Sequence, residues 1–508
     1  MPLRFIRSII KSTGQGIVND PEIKKVMARY PRFFSFVKKR ITPNEQFGLH
    51  LTLGMVSSAI FIFLFFGVLQ DVIGREPMIE ADLRIINLIQ IFHTPWLNQI
   101  MLLVTYLGNW QVVFLGLLFV SCYLFVVRGF YYLAALLVSV GVGELFVWLV
   151  KYAVARPRPP LVNALYLEKG FSFPSGHMFV ALAFYGLVAY FIFRRQKNLW
   201  AKLATIFASL LLAGAVGFSR IYLGVHWPSD VLASLASGLA LLAVLITAIE
   251  IRSKFNGQLK KSILMSRRKI FAASMIMLVA WFSYWLYFFA SHPLTKTAVL
   301  LEPEYQIINQ ADIPEKLFQR LPKNSENIIG VPMEPVNLII IARRGELIKD
   351  MRAKGWLLTD SISVKTLWRM VITAVYNRPY PQAPGTPMFW NSRPNDFAFE
   401  QPTAEQSVRE RHHVHFWETP FRLADGRAVW FATAHFDKTI ELSKNFFPAH
   451  AIDPAIDKER DKIKADLMAT GQVSFSQEFG VVEPTLGRNQ AGDLFFTDGK
   501  AAVIFLPE

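Results

Sequence analysis

Cysteine is almost absent from this chain of 508 residues: Cys122 is the single one, and it falls inside an apolar run. That excludes disulfides and cysteine-rich metal centres as organising features. Acidic residues are scarce through the middle of the chain, where Glu144, Glu168 and Asp230 are the carboxylates between residues 83 and 249. A carboxylate cluster fit for magnesium has too few members there. Long apolar runs are missing from the first 47 residues, the first starting at His50, so a cleavable signal peptide is not expected.

What remains is strongly apolar. With 53% hydrophobic residues and mean hydropathy +0.31, the chain is too greasy for an ordinary soluble enzyme and long enough for two or three domains. Its net charge of +16 is uneven: residues 1–290 hold 29 Lys and Arg against 11 Asp and Glu, and residues 291–508 hold 25 against 27. The basic excess belongs to the apolar half, where the positive-inside bias of membrane loops explains it better than nucleic-acid binding. Residues 1–47 interleave Arg4, Arg7, Lys24, Lys38 and Arg40 with Phe5, Phe33, Phe34 and Phe36, a basic cytoplasmic segment suited to an anionic membrane surface.

Apolar runs suited to helical spans follow at 50–69, 110–127, 131–150, 175–193, 201–218, 230–249 and 270–290. Residues 83–107, interrupted by His93, Pro95 and Asn98, read as an interfacial helix pair. If the N-terminus is cytoplasmic, alternate loops should be basic, and Arg128, Arg194, Arg195, Lys197, Lys202 and Arg252 to Lys269 meet that expectation. The remaining loops then face the periplasm of a Gram-negative cell, with the multi-pass part in the inner membrane.

Three polar stretches stand on that far side, each where an apolar run ends: KYAVARPRP at 151–159, PSGH at 174–177 and SRIYLGVHWPSD at 219–230. In the third, His226 and Asp230 are four apart, with Pro228 and Ser229 suited to a first helical turn. The spacing lets the carboxylate steer the imidazole, as a nitrogen nucleophile or general base requires. A His and an Asp merely capping a helix would look the same in isolation. In the second stretch, Ser175 is a plausible N-cap, and the amides of Gly176 and His177 behind it make an anion site. Gly176 leaves room for a phosphate against backbone, and His177 stands within reach as a proton donor. Lys151, Arg158 and Arg220 bring three cations to the same membrane face, where charge is costly without a partner. A phosphate dianion is such a partner, and arginine grips it in two-pronged fashion.

Taken together, K-x6-R-P, P-S-G-H and S-R-x5-H-x3-D resemble the three signature motifs of the type 2 phosphatidic acid phosphatase and vanadium haloperoxidase superfamily. Eleven specified residues match in order, and the resemblance covers roughly residues 48–254. It implies that His226 is the nucleophile that forms a phosphohistidine, that Asp230 orients it, and that His177 protonates the leaving oxygen. It also implies that Lys151, Arg158, Ser175, Gly176 and Arg220 hold the phosphoryl group. No cofactor is expected, and phosphoryl transfer should proceed without a metal. Glu144, seven residues before Lys151 and on one helical face with it, reads as a structural partner for an inward Lys or Arg.

From residue 293 the composition becomes that of a water-soluble mixed domain. Residues 336–342 and 429–436 read as strands and residues 346–354 and 455–469 as helices, with hairpin-type turns at Asp425-Gly426 and Asp498-Gly499. GELIKDMRAKGW, RHHVHFWE and DGRAVWFATAHFD resemble the LssY C-terminal domain. His413 and His415 share one strand face, and His435 and Asp437 share one face of the next. A metal could sit there if the faces coincide, against a bland polar face flanked by Trp417 and Trp430; a glycan, a lipid headgroup or a periplasmic protein partner is equally open.

The expected fold class is therefore an all-α polytopic membrane helix bundle followed by a soluble α+β domain. The boundaries are a basic cytoplasmic segment at 1–47, a six-span phosphatase core at 48–254, a basic loop and seventh span at 255–292, and a periplasmic LssY-like domain at 293–508. The expected function is a phosphatase or diphosphatase acting on a membrane lipid at the outer face. Undecaprenyl diphosphate is slightly favoured over phosphatidate, phosphatidylglycerol phosphate and lipid A phosphates. A soluble-type haloperoxidase, a lipid translocase and a scaffold working through its C-terminal domain are the competing readings.

Overall fold

The structure, a computed structural model, describes residues 20–41, 48–74, 77–160, 164–165, 168–255, 266–294, 305–376, 378–403, 410–442, 448–488 and 492–507. Two short helices come first, α1 (Pro21–Arg29) and α2 (Pro31–Ile41), with Phe33 and Phe36 exposed among basic residues. The helical half continues with α3 (Leu49–Gly74), α4 (Pro77–Gln90), α5 (Pro95–Thr105), α6 (Trp110–Val126) and α7 (Phe130–Val154). It is completed by α8 (Gly176–Arg195), α9 (Leu199–Tyr222), α10 (Pro228–Phe255) and α11 (Arg267–Ser291).

Six of these helices are long and apolar enough to cross a membrane, or up to seven if α5 and α6, bent by 48° at their junction, form one broken span. The bent pair departs from the sequence expectation of two interfacial helices over residues 83–107: α4 fits that description, but α5 leads into α6. At 17 residues α6 alone is short for a bilayer, and α5 supplies the missing length. The outer surfaces carry exposed Phe63, Leu149, Phe207 and Ile276, as lipid-facing surfaces should. Contacts between helices use small residues instead: a Cβ on Gly143 would stand 2.4 Å from the Phe179 ring. α8 is the centre of the bundle, with Met178 to Phe184 buried. A π-helical turn at Leu182–Gly186 interrupts its ladder, and Ser139 Oγ donates to the Ala183 carbonyl at 2.8 Å. α11 packs on α5 and α6, where the indoles of Trp281 and Trp285 donate to the Val112 and Leu103 carbonyls.

The strand-rich half is built on a nine-stranded sheet whose central strands are Lys500–Phe505, Leu338–Ala342, Ala428–Leu442 and Arg411–Arg422. Alternation gives this sheet two apolar faces. Ile340, Ala432, Val414 and Trp430 pack under the helices Arg344–Ala353 and Asp457–Met468, while Ile339, Phe431, Trp417 and Val503 pack on the other side with Trp390 and Leu317. Trp430 thus lies across the sheet from Trp417 and does not flank the histidines. The strands and helices expected from sequence are present, and Asp425-Gly426 closes the hairpin between 411–422 and 428–442. Asp498-Gly499 is not a hairpin: the strand before it pairs with Thr485–Arg488 and the strand after it with Phe475–Gly480 and Leu338–Ala342, so it turns a corner between sheets.

The two halves touch at α4. Arg84 Nη2 pairs with Glu326 at 2.6 Å, and Asn87 Nδ2 donates to the Ser392 carbonyl at 2.8 Å.

Candidate active site

α7 ends because the sequence forbids its continuation. Ala155 turns left-handed with φ 49°, and Pro157 and Pro159 exclude helical geometry from the residues before them. The last turn of α7 delivers Lys151, whose ammonium donates to the carbonyl of Phe171 at 2.7 Å and, more weakly, of Ser172 at 3.4 Å. The extended Arg-Pro-Arg-Pro run delivers Arg158. Its guanidinium donates to the Val225 carbonyl at 2.7 Å, stands 3.2 Å from His226 Nε2 and pairs with Glu168 at 3.1 Å.

α8 starts directly at the site. Ser175 has extended N-cap geometry, yet its hydroxyl makes no capping bond and is buried without a hydrogen-bond partner. A buried hydroxyl left unsatisfied is costly unless a ligand completes it. A Cβ on Gly176 would meet only Val147, at 3.7 Å, so the space over this helix start is open.

α9 carries Arg220 and runs out at Tyr222. Gly224, at φ 70°, adopts the left-handed conformation that turns the chain back, so that the amides of Val225 and His226 both reach the Arg220 carbonyl. His226 is then held through Nδ1 by Asp230 Oδ2 at 3.2 Å, leaving Nε2 turned toward Arg158. Asp230 Oδ2 also accepts the Trp227 amide at 3.0 Å. Arg220 is fully buried, donates to Thr105 Oγ1 at 3.0 Å and pairs with Glu168. Burial first, and then the charges of Arg220, Lys151, Arg158 and His177, hold the His226 imidazole well below its ordinary range near 6.5. Its neutral, nucleophilic form therefore prevails at neutral pH. Activity that needs this form should persist below pH 6.5 and be lost only as pH falls through the lowered pKa. The acid limb of kcat/KM, corrected for substrate ionisation, reads this directly, and a limb breaking above pH 7 contradicts it.

All eight residues singled out in the sequence, His226, His177, Asp230, Lys151, Arg158, Ser175, Gly176 and Arg220, lie where the ends of α7 and α9 meet the starts of α8 and α10. Glu144 is the exception: it is exposed on α7 and makes no ion pair with Lys151, whose ammonium is held by carbonyls.

Three side chains that the sequence reading missed complete the site. Arg156 donates to Asp230 Oδ1 and Ser229 Oγ, both at 2.7 Å, and to Asp82 Oδ2 at 2.8 Å, while Asp82 also accepts from the amide and hydroxyl of Ser229. Asp230 is thereby fixed on both oxygens. Glu168 bridges Arg158 and Arg220, the two guanidiniums that face the cleft. Arg156→Ala would leave two buried carboxylates without their cation, a loss of about 3–5 kcal/mol for a buried pair. A fall in Tm together with a fall in kcat is expected, and a variant of wild-type Tm and kcat contradicts the role given to Arg156.

Comparison with known proteins bears on the same segments. Residues 130–254 match the PAP2 superfamily and residues 318–501 match the family described as LssY C-terminus. Phosphatidylglycerophosphatase B of Bacillus subtilis (strain 168) is 33% identical over 187 residues, which are 36% of this chain and 90% of that protein. The chain belongs to the PAP2 superfamily. An undecaprenyl-diphosphatase of Sulfolobus acidocaldarius is 27% identical over 212 residues, 40% of this chain and 92% of its own. Among solved structures, the first transmembrane PAP2 type phosphatidylglycerolphosphate phosphatase from Bacillus subtilis is 28% identical over 39% of this chain and 96% of its own, with a TM-score of 0.35. The PAP2 match runs from α7 through α10 and so contains all three motifs. Neither Asp82 nor the helix that carries it falls within it.

Proposed function

We propose that this PAP2 protein is a membrane lipid phosphatase or diphosphatase that works through a phosphohistidine on His226. The observation that carries the reading is His226 itself: Nδ1 is tied to Asp230 and Nε2 faces the guanidinium of Arg158 in a buried cleft. Lys151, Arg158 and Arg220 would neutralise a phosphoryl group, and the unsatisfied Ser175 hydroxyl with the amides at the start of α8 would hold its oxygens. His226 Nε2 attacks phosphorus as the bond to the leaving oxygen breaks, and protonated His177 gives that oxygen its proton. Neutral His177 then takes a proton from water, which attacks the phosphohistidine. The products are inorganic phosphate and His226 in its starting form.

Topology supports an outward-facing site. Arg194 pairs with Glu250, and Arg195 and Arg252 lie over the rings of Tyr123 and Tyr131, all at the helix ends opposite the motifs. Basic ends belong to the cytoplasm, which supports the reading that the cleft and the strand-rich domain face the periplasmic side of a bacterial inner membrane. An apolar groove beneath the cleft, lined by Phe65, Phe66, Phe146, Phe179 and Leu241, suits a lipid chain. Undecaprenyl diphosphate is the favoured substrate, because the polyprenyl carrier presents its diphosphate at the outer leaflet. Phosphatidylglycerophosphate, which the name of the Bacillus relative indicates, is the second reading. Phosphate release by purified protein over a lipid panel, with His226→Ala beside it, tests the assignment. Activity is expected to survive EDTA, since the arginines and lysine supply the charge stabilisation; loss restored by magnesium contradicts the metal-independent mechanism. Leaflet exchange that persists in His226→Ala would favour a translocase.

Glu168 occupies the two guanidiniums that an incoming phosphate needs. Glu168→Gln is therefore expected to tighten inhibition by vanadate about fivefold, the ~1 kcal/mol of a partly exposed ion pair. An unchanged or weaker inhibition constant contradicts this competition.

A further inference from the structure

The strand-rich half holds a second cluster of chemistry-bearing residues that the phosphatase reaction does not use. Register pairs His435 with His413, Thr433 with His415 and Asp437 with Arg411, so His413, His415, His435 and Asp437 share one face of the hairpin. All four are buried. One nitrogen from each of the three histidines lies within 4.8 Å of the others. His413 Nε2, His415 Nδ1 and His435 Nδ1 have no hydrogen-bond partner, in a place where water-exposed alternatives are gone. The opposite ring nitrogens of two of them face one carboxylate: His413 Nδ1 and His435 Nε2 each lie 3.4 Å from an oxygen of Asp437. Histidines that ligate a metal show this division, one nitrogen inward and the other on a carboxylate.

We infer that His413, His415 and His435 bind one zinc-class divalent transition metal ion, with Asp437 orienting two of the three imidazoles. Neutral imidazole nitrogens suit zinc, cobalt and nickel over magnesium or calcium. Zinc at about 2.0–2.1 Å from each nitrogen draws the ligands to roughly 3.3 Å apart, so side-chain shifts of about an ångström close the set. Glu334, buried on the strand Pro332–Pro335, has an Oε2 without a hydrogen-bond partner and acts electrostatically on His435. A Cβ on Gly385 would stand 3.0 Å from His413 Nε2, so backbone closes the site on that side. Enclosed in this way, the ion ties the hairpin to its cover and takes no part in phosphate release.

The test uses full-length, tag-free protein in detergent, stripped with a chelator and titrated with Co2+ or Zn2+. One equivalent is expected to bind, with the visible bands of four-coordinate cobalt and a rise in Tm on adding zinc. His413→Ala with His435→Ala should abolish binding, Asp437→Asn should weaken it about 10–100-fold while keeping every ligand, and His226→Ala should leave it unchanged. Wild-type protein that takes up far less than one equivalent at micromolar free metal overturns the proposal whatever the variants do. Uptake that survives in the double variant, or vanishes in His226→Ala, overturns it as well.

Discussion

His226→Ala should release no phosphate from any lipid while folding as the wild type does. In the proposed mechanism the imidazole forms the bond to phosphorus, with its other nitrogen fixed by Asp230 at 3.2 Å. Removing it deletes the nucleophile outright, whereas removing a charge partner only weakens the grip on the phosphoryl group. Asp230 stays neutralised by Arg156 at 2.7 Å, which protects the variant against a stranded buried charge. The expected result is unchanged melting behaviour in detergent with activity at background. A variant that keeps more than a small fraction of wild-type kcat shows that another group attacks phosphorus.

His177→Ala should cost about 10²–10⁴-fold in kcat, the usual contribution of a positioned acid and base. The loss should depend on the leaving group. A lipid alkoxide cannot depart unprotonated, so full dependence on His177 is expected with a phosphate monoester of a lipid alcohol. A nitrophenolate departs without help, so the same variant should lose far less of the first step on that substrate. Equal losses on both would show that His177 acts by holding the helix start in place. His177 stands at the first turn of α8 next to Ser175 and Gly176, which makes that structural role the relevant competitor.

The mouths of the helices could be read from sequence because each is marked by residues with one physical meaning. Proline after Arg156 and Arg158 stops α7, Ser175 and Gly176 start α8, and Pro228 starts α10. Arg156 and Asp82 were missed for a physical reason too. One of two arginines in an Arg-Pro-Arg-Pro run looks like the other until the fold shows that one faces the cleft and one faces the carboxylates behind it. Asp82 is separated by 147 residues from the Ser229 amide it accepts, and no local pattern encodes that pairing. Periodicity placed His413, His415, His435 and Asp437 on strand faces, but the register that brings the faces together is set by the turn at Asp425-Gly426 and by strand pairing. Trp430 stands five residues before His435, an odd separation, so strand alternation itself sends it to the opposite core, against the expectation that it flanks the histidines. Asp498-Gly499 has the residues of a hairpin turn, and only the pairing of its flanking strands shows that it links two sheets.

The strand-rich domain meets the helical half through Arg84, two residues after Asp82, which with Ser229 and Arg156 supports Asp230. The helix that meets the strand-rich domain is therefore the helix that backs His226.

The convergence of three distant helix mouths on one reacting imidazole is tested most directly by trapping the covalent species. Labelled lipid phosphate, quenched in alkali within a turnover, should leave label on the protein that is stable to base, labile to acid and confined to the peptide containing His226. Label on any other residue, label persisting in His226→Ala, or turnover without a phosphoenzyme would contradict the mechanism.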